Sequence, residues 1–318
     1  ELGARGFAEA QAAGRKPFTC PGVRALAVDD EEMNLVVAKG VLGSYGIQVD
    51  TCLSGREAVA QCDSVSYDII FLDHMMPGFD GVQTLKKIRE LQNSVYQDLP
   101  VIALTANTVS GAREMFRGEG FTEFVPKPIE RTVLERVLRR VLPKHLIQYV
   151  EESAGAGGDA PSEEAQAVPA PAEETHAAPG PAQPAQSPQA AVLTQAPADG
   201  LAPLYDRLAQ AGINVEVGLN YCGGDEGFFR EMLQMFQAQS GTKKAEIISL
   251  YDEANWADYA VKVHALKSTS LTIGAEALSS QAKELELAGK RGDADFIREH
   301  HSALMHAYDE LCGQLAAL

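Results

Sequence analysis

The chain has 318 residues, 45 % hydrophobic and 22 % charged, a length that suits two or three domains with ordinary globular cores. Its formal net charge of −17 argues against a nucleic-acid surface and favours basic or cationic partners, metal ions included. No run of about 18 apolar residues and no charged-then-apolar leader is present, so neither a membrane span nor a secretion signal is expected.

The opening segment, 1–22, is rich in Ala and Gly without a clear period and reads as linker. Strands and helices then alternate over 23–145. Ala25-Leu26-Ala27-Val28 is an apolar run ending in Asp29-Asp30, and Leu35, Ala38, Val41 and Leu42 follow at helical spacing. Ile47 to Cys52 is strand-like, and Ser54-Gly55-Arg56-Glu57 has the form of a capping box. Ile69-Ile70-Phe71-Leu72 is a strand buried on both faces that runs into Asp73 and stops at Pro77 and Gly78. A helix marked by Val82, Leu85 and Ile88 leads to the strand Val101 to Leu104, which ends in Thr105. Met115 and Phe116 lie on a fourth helix, Phe121 to Val125 on a fifth strand ending at Lys127, and Val133 to Val141 on a last helix. Five alternating units predict a doubly wound, five-stranded parallel sheet with helices on both faces.

The composition shifts over 146–200. Half of the 16 prolines fall there among many alanines, with no aromatic residue, lysine or arginine between Glu151 and Gly200. Such a segment cannot bury enough apolar area to offset its chain entropy, so a disordered linker is expected. From 201 to 318 the chain reads as helix, with Asp225, Asn255 and Asp293 as caps and apolar stripes behind each. Four amphipathic helices with short connections predict an all-α four-helix bundle.

Every polar group of interest in the α/β region falls at a strand's C-terminal end, where open α/β sheets place ligand sites. Asp73 alone could be a cap, a metal ligand or a nucleophile. Asp29, Asp30 and Asp73 held close repel each other and call for a hard divalent cation, for which Mg²⁺ suits one or two carboxylates plus phosphate oxygens. Thr105 and Lys127, a hydroxyl and an ammonium opposite that ion, are what a phosphoryl group needs.

Ala-Val-Asp29-Asp30, Phe-Leu-Asp73-His-Met-Met-Pro77, Ala-Leu-Thr105-Ala106 and Val-Pro-Lys127-Pro128 resemble the receiver domain of bacterial response regulators, a flavodoxin-like fold, over roughly 23–142. The resemblance implies that Asp73 accepts a phosphoryl group. It implies Mg²⁺ on Asp30 and Asp73, helped by Asp29 and the Met75 carbonyl, and phosphate held by Thr105 and Lys127. It also implies a switch aromatic at Phe124 and a cis bond before Pro128.

In the bundle, Val263 and Leu266 face the core, which is expected to turn His264 toward solvent, with Lys267 and Ser268 three and four residues on. A neutral imidazole is a nucleophile, and an ammonium and a hydroxyl beside it can steady a phosphate. His264-Ala265-Leu266-Lys267-Ser268 followed by Gly274 resembles the histidine-phosphotransfer (HPt) domain, with serine where that family usually has glycine.

Two functions compete: phosphorelay between Asp73 and His264, or phosphorylation-independent docking by the same folds. No ATP-binding loop or kinase box is found, so the chain is not expected to make its own phosphoryl donor, and its start at Glu1 reads as the tail of a hybrid sensor histidine kinase. The expected partners are a histidine kinase core in the same polypeptide and a downstream response regulator, without nucleic acid or membrane contact. Five scattered cysteines, Cys20, Cys52, Cys62, Cys222 and Cys312, suggest reduced thiols in a cytoplasm.

Overall fold

The computed structural model describes residues 17–91, 95–106, 112–149 and 202–317. Five strands, β2 (Arg24–Val28), β3 (Gln48–Cys52), β4 (Ile69–Asp73), β5 (Val101–Thr105) and β6 (Glu123–Pro126), form one parallel sheet in the order β3-β2-β4-β5-β6. Side chains alternate across it, as a period of two demands. Ala25, Ala27, Ile69, Phe71, Ile102 and Leu104 enter one core cluster, and Leu26, Val28, Ile70, Leu72, Val101 and Ala103 the other. Helices α1 (Glu32–Gly43) and α6 (Arg131–Val141) cover the first face. The second is covered by α2 (Gly55–Ser64), α3 (Gly81–Arg89), α4 (Val95–Asp98) and α5 (Ala112–Gly118). The expected doubly wound sheet is present, with both faces covered because its strands are apolar on both.

The caps behave as the sequence indicates, with one adjustment. Ser54 accepts from the Glu57 N–H at 3.3 Å, but the Glu57 carboxylate reaches back to the Leu53 N–H at 3.0 Å instead of to Ser54. Two short strands differ from expectation. β1 (Phe18–Thr19), in the stretch read as linker, pairs antiparallel with β7 (Gln148–Tyr149), just past the last helix of the sheet domain. Phe18 is buried, its ring 5.3 Å from that of Tyr45, and the Arg139 guanidinium lies 4.2 Å over Phe18 and 5.6 Å over Tyr149. Burial of one aromatic ring, not periodicity, anchors this segment. The Pro-rich segment lies outside the described residues apart from Leu146 to Tyr149.

The C-terminal region begins with two short helices that the sequence reading did not separate, α7 (Ala202–Gln210) and α8 (Val215–Tyr221). Four longer helices form the expected bundle: α9 (Glu226–Asp252), α10 (Trp256–Thr272), α11 (Glu276–Arg291) and α12 (Ala294–Ala316). Asp225, Asn255 and Asp293 cap α9, α10 and α12 through the N–H groups of Phe228, Asp258 and Phe296. Phe236, Val263, Leu285 and Tyr308 meet in its interior. That interior is continuous with the first face of the sheet: one apolar cluster passes from the strands through α1 and α6 into the bundle. No helix among the described residues is long and apolar enough to cross a membrane.

Candidate active site

The central strand delivers Asp73 to the sheet edge with almost no exposure, and its neighbours bring the other groups beside it. Gly81 permits this crowding: a Cβ there would lie 2.3 Å from the Asp73 carbonyl oxygen, so only glycine lets α3 start so close to the end of β4. Asp29 Oδ1 accepts from the Glu31 N–H and from Asn34 Nδ2, both at 3.0 Å. Lys127 Nζ lies 2.9 Å from Asp29 Oδ2 and 2.8 Å from Asp73 Oδ2, and Asp73 Oδ1 accepts from the Met75 N–H at 3.1 Å. Thr105 is buried at the end of β5, and its carbonyl accepts from the Lys127 N–H at 2.7 Å. Phe124 is half-buried with its ring 5.6 Å from that of Phe116, and the Lys127–Pro128 bond is cis.

Asp29, Asp30 and Asp73 each offer an oxygen within 4.8 Å of the others. Three carboxylates face one ammonium, so the cluster carries excess negative charge. Burial, then Asp29 and Glu31, push Asp30 up to about 7. Burial also raises Asp73, with Asp29 and Asp30 adding to it against the pull of Lys127. Burial alone depresses the Lys127 ammonium, but Asp29 and Asp73 more than reverse this and keep it charged. Asp30 Oδ2 is buried and has no hydrogen-bond partner among the described residues. Buried carboxylate oxygens in surplus of their cations have the chemistry to hold a cation.

His264 departs from expectation. Its neighbours do face the bundle core, but the imidazole is not exposed: 3 % of it reaches solvent, because the sheet domain covers the rest of that helix face. Its Nδ1–H donates to Glu286 Oε1 on α11 at 2.8 Å, and Nε2 is buried without a partner among the described residues. Glu286, which the sequence reading missed, also accepts from the ammoniums of Lys267 and Lys290. Lys267 is therefore tied to Glu286 rather than free beside the imidazole. Ser268 is buried one turn from His264, its hydroxyl unpartnered among the described residues. Burial lowers His264 to about 4 against the pull of Glu286, with Lys127 and Lys267 adding to the fall. Burial works against the Glu286 carboxylate, but its hydrogen bond to His264 and then the Lys267 ammonium hold it below the ordinary carboxylate range, and Lys290 pairs with it as well.

The two groups of residues meet. A cavity of about 400 Å³ is walled by His74, Met75, Asp80 and Thr105 from the sheet edge and by Val261, His264 and Lys290 from the bundle. The imidazole thus opens onto a cavity that Thr105 and the loop directly after Asp73 also wall.

A family model described as the response regulator receiver domain matches residues 25–139, and one described as the Hpt domain matches 231–317. The chain carries a receiver domain followed by an Hpt domain. Over 118 residues it is 35 % identical to the signal transduction histidine-protein kinase BarA of Escherichia coli (strain K12), an alignment that covers 37 % of this chain and 13 % of that protein. Sensor protein GacS of Pseudomonas syringae pv. syringae is 30 % identical over 123 residues, or 38 % of this chain and 14 % of its own length. The chain thus spans about a seventh of the length of these relatives. Among solved structures, the receiver domain of sensor histidine kinase PA1611 from Pseudomonas aeruginosa PAO1, with a magnesium ion in its active site cleft, is 34 % identical. That likeness has a TM-score of 0.34 and covers 38 % of this chain and 97 % of that one. A receiver joined to an Hpt domain belongs to phosphorelay signalling.

Proposed function

We propose that Asp73 and His264 are the two phosphoryl carriers of this relay and that they exchange the group within one chain. The observation that carries this reading is the cavity shared by the two domains, onto which the receiver's strand ends and His264 both open. In the forward step a carboxylate oxygen of Asp73 attacks the phosphorus of a donor, whose leaving group departs with its electron pair. His264 Nε2 then attacks the same phosphorus, the P–N bond forms, and the P–O bond to Asp73 breaks to return the carboxylate. The Nδ1–H···Glu286 bond supports this role, because it fixes the tautomer that leaves Nε2 with a lone pair. Lys127, held by both carboxylates, and Thr105 would balance charge on the phosphoryl oxygens.

The residues fit a hard divalent cation, with Asp30 and Asp73 as ligands, Asp29 behind them and the Met75 carbonyl completing the protein's share. Mg²⁺ suits so few carboxylates with water and phosphate filling the rest, and when bound it supplies positive charge to the transferring oxygens. Phe124, packed on Phe116, is the aromatic that would report the state of Asp73. Within a longer polypeptide the chain is the relay segment of a hybrid histidine kinase. It takes its phosphoryl group from that kinase's core and passes it from His264 to a downstream response regulator, in a cytoplasmic setting.

The test is to load the protein with a small phosphodonor and Mg²⁺ and follow acid-stable and acid-labile label. Asp73→Asn should lose both, and His264→Gln only the acid-labile label. Transfer within the chain should proceed at a rate independent of protein concentration; a rate proportional to concentration would place the step between molecules. Label in Asp73→Asn at the wild-type rate would overturn the assignment.

A further inference from the structure

Two contacts about 12 Å apart along α1, from its rise of about 1.5 Å per residue, hold the Hpt domain over the strand ends. At the start of α1, Lys243 of α9 pairs with the buried carboxylate of Glu31, and Gln239 Nε2 donates to Glu32 Oε2 at 3.1 Å. Lys262 of α10, paired with Glu246 of its own bundle at 2.8 Å, also lies within electrostatic reach of Asp30 and Glu31. Nearer the end of α1, the ring of Phe228 rests on Gly40. A Cβ at that position would lie 3.0 Å from Cζ and 3.2 Å from Cε1. Glycine weakens a helix interior relative to alanine, and the Phe228 ring gives this one a reason. None of these side chains takes part in the phosphoryl chemistry proposed above, and all of them join the two domains. His264 lies under the face they hold, so any other acceptor must dock on the same face.

We propose that the bundle face built by Phe228, Gln239 and Lys243 is a docking surface selective for receiver domains of one pattern, and that its downstream partner is such a receiver. That partner's first helix opens with two acidic residues and, after seven more positions, carries glycine, as Glu31, Glu32 and Gly40 do here. Charge complementarity supplies the first half of the match and the absence of a side chain the second. The chain's own receiver already satisfies the pattern, so it and the partner exclude one another. This proposal rests on the phosphorelay reading and names the partner of its Hpt domain.

A second copy of this chain serves as the probe, since its receiver carries the pattern. Full-length His264→Gln, loaded with phosphodonor, is the donor, and full-length Asp73→Asn is the acceptor; the readout is acid-labile label on the acceptor's His264. Gly40→Val added to the acceptor should raise transfer several-fold, because its own receiver no longer covers the bundle. The same substitution added to the donor should lower transfer several-fold while leaving its loading by phosphodonor unchanged. Phe228→Ala in the acceptor should restore transfer from the Gly40→Val donor, and Lys243→Glu added to the Gly40→Val acceptor, whose bundle is already uncovered, should lower transfer from the unaltered donor. Equal or absent effects of Gly40→Val in the two chains overturn the proposal, as does failure of Phe228→Ala to rescue. Hydrogen exchange of the α1 amides in the otherwise unaltered chain gives a readout without phosphate. Exchange should quicken in Gly40→Val and Lys243→Glu, and unchanged exchange overturns the docking surface. Quickened exchange with no label on any His264 instead overturns the phosphorelay reading and leaves the docking surface standing.

Discussion

His264 Nδ1 lies 2.8 Å from Glu286 Oε1, with both side chains buried and twenty-two positions apart in the chain. The carboxylate does two things at once. It selects the imidazole tautomer, and it pairs with both Lys267 and Lys290.

Glu286→Gln separates those two effects. The amide oxygen can still accept from Nδ1–H, but the two lysines lose their anion. Removing one partner of a buried ion pair costs about 3–5 kcal/mol, and urea unfolding of the variant should show a loss of that order. Glu286→Ala removes the hydrogen bond as well. The nitrogen-15 spectrum of His264 should then show protonated Nε2 gaining population, and acid-labile labelling should slow about tenfold, the effect of about 1.4 kcal/mol in a barrier. A spectrum unchanged from wild type in Glu286→Ala would remove Glu286 from the positioning role.

The docked arrangement should weaken as pH falls. His264 has a pKa of about 4 when buried against an ordinary value of 6.5, and the groups facing it are Glu286, Lys267, Lys290 and Lys127. Below 6.5 an undocked imidazole takes up a proton that the docked one refuses, so the undocked state gains until about pH 4. The effect is at most about 3 kcal/mol, from 1.36 kcal/mol per pKa step, because Glu286 and Lys267 stay beside the imidazole when the bundle undocks. Small-angle scattering between pH 7 and 4.5 should show expansion in wild type, and the part due to His264 should vanish in His264→Gln.

Asp30→Ala should abolish Mg²⁺-dependent labelling of Asp73. One carboxylate of the three is lost from a site that needs both charge and geometry. Full labelling in that variant, or labelling of the wild type undiminished by chelator, would move the cation elsewhere.

Phe18→Ala should destabilise the receiver by about 3 kcal/mol or more, the usual cost of emptying a buried aromatic site. The ring is buried between Tyr45 and Arg139 although it lies in a stretch without periodicity. Thermal unfolding unchanged from wild type would return this segment to the status of linker.

The sheet and its edge were legible because buried parallel strands are written as continuous apolar runs. Ile69 to Leu72 announces itself, and the polar residue that ends each run lands at the shared edge, which is how Asp29, Asp73, Thr105 and Lys127 come together. The burial of His264 was not legible. Helical periodicity shows which side of α10 faces its own bundle but not that a second domain covers the rest, and α10 is buried from Val263 to Ser270 without a break. Glu286 was hidden for a related reason. Its place opposite His264 depends on the register between α10 and α11, set by packing across the turn at Gly274 rather than by any spacing in the chain. The pairing of β1 with β7 joins two-residue strands some 130 positions apart, too short for any pattern to mark.

That pairing puts Phe18 directly opposite Tyr149. The backbone enters the receiver and leaves it at adjacent points, so the domain hangs from its surroundings as a bead on a pinched loop. Tension on the flanking segments peels this two-residue ladder apart one rung at a time and reaches the five-stranded sheet only afterwards.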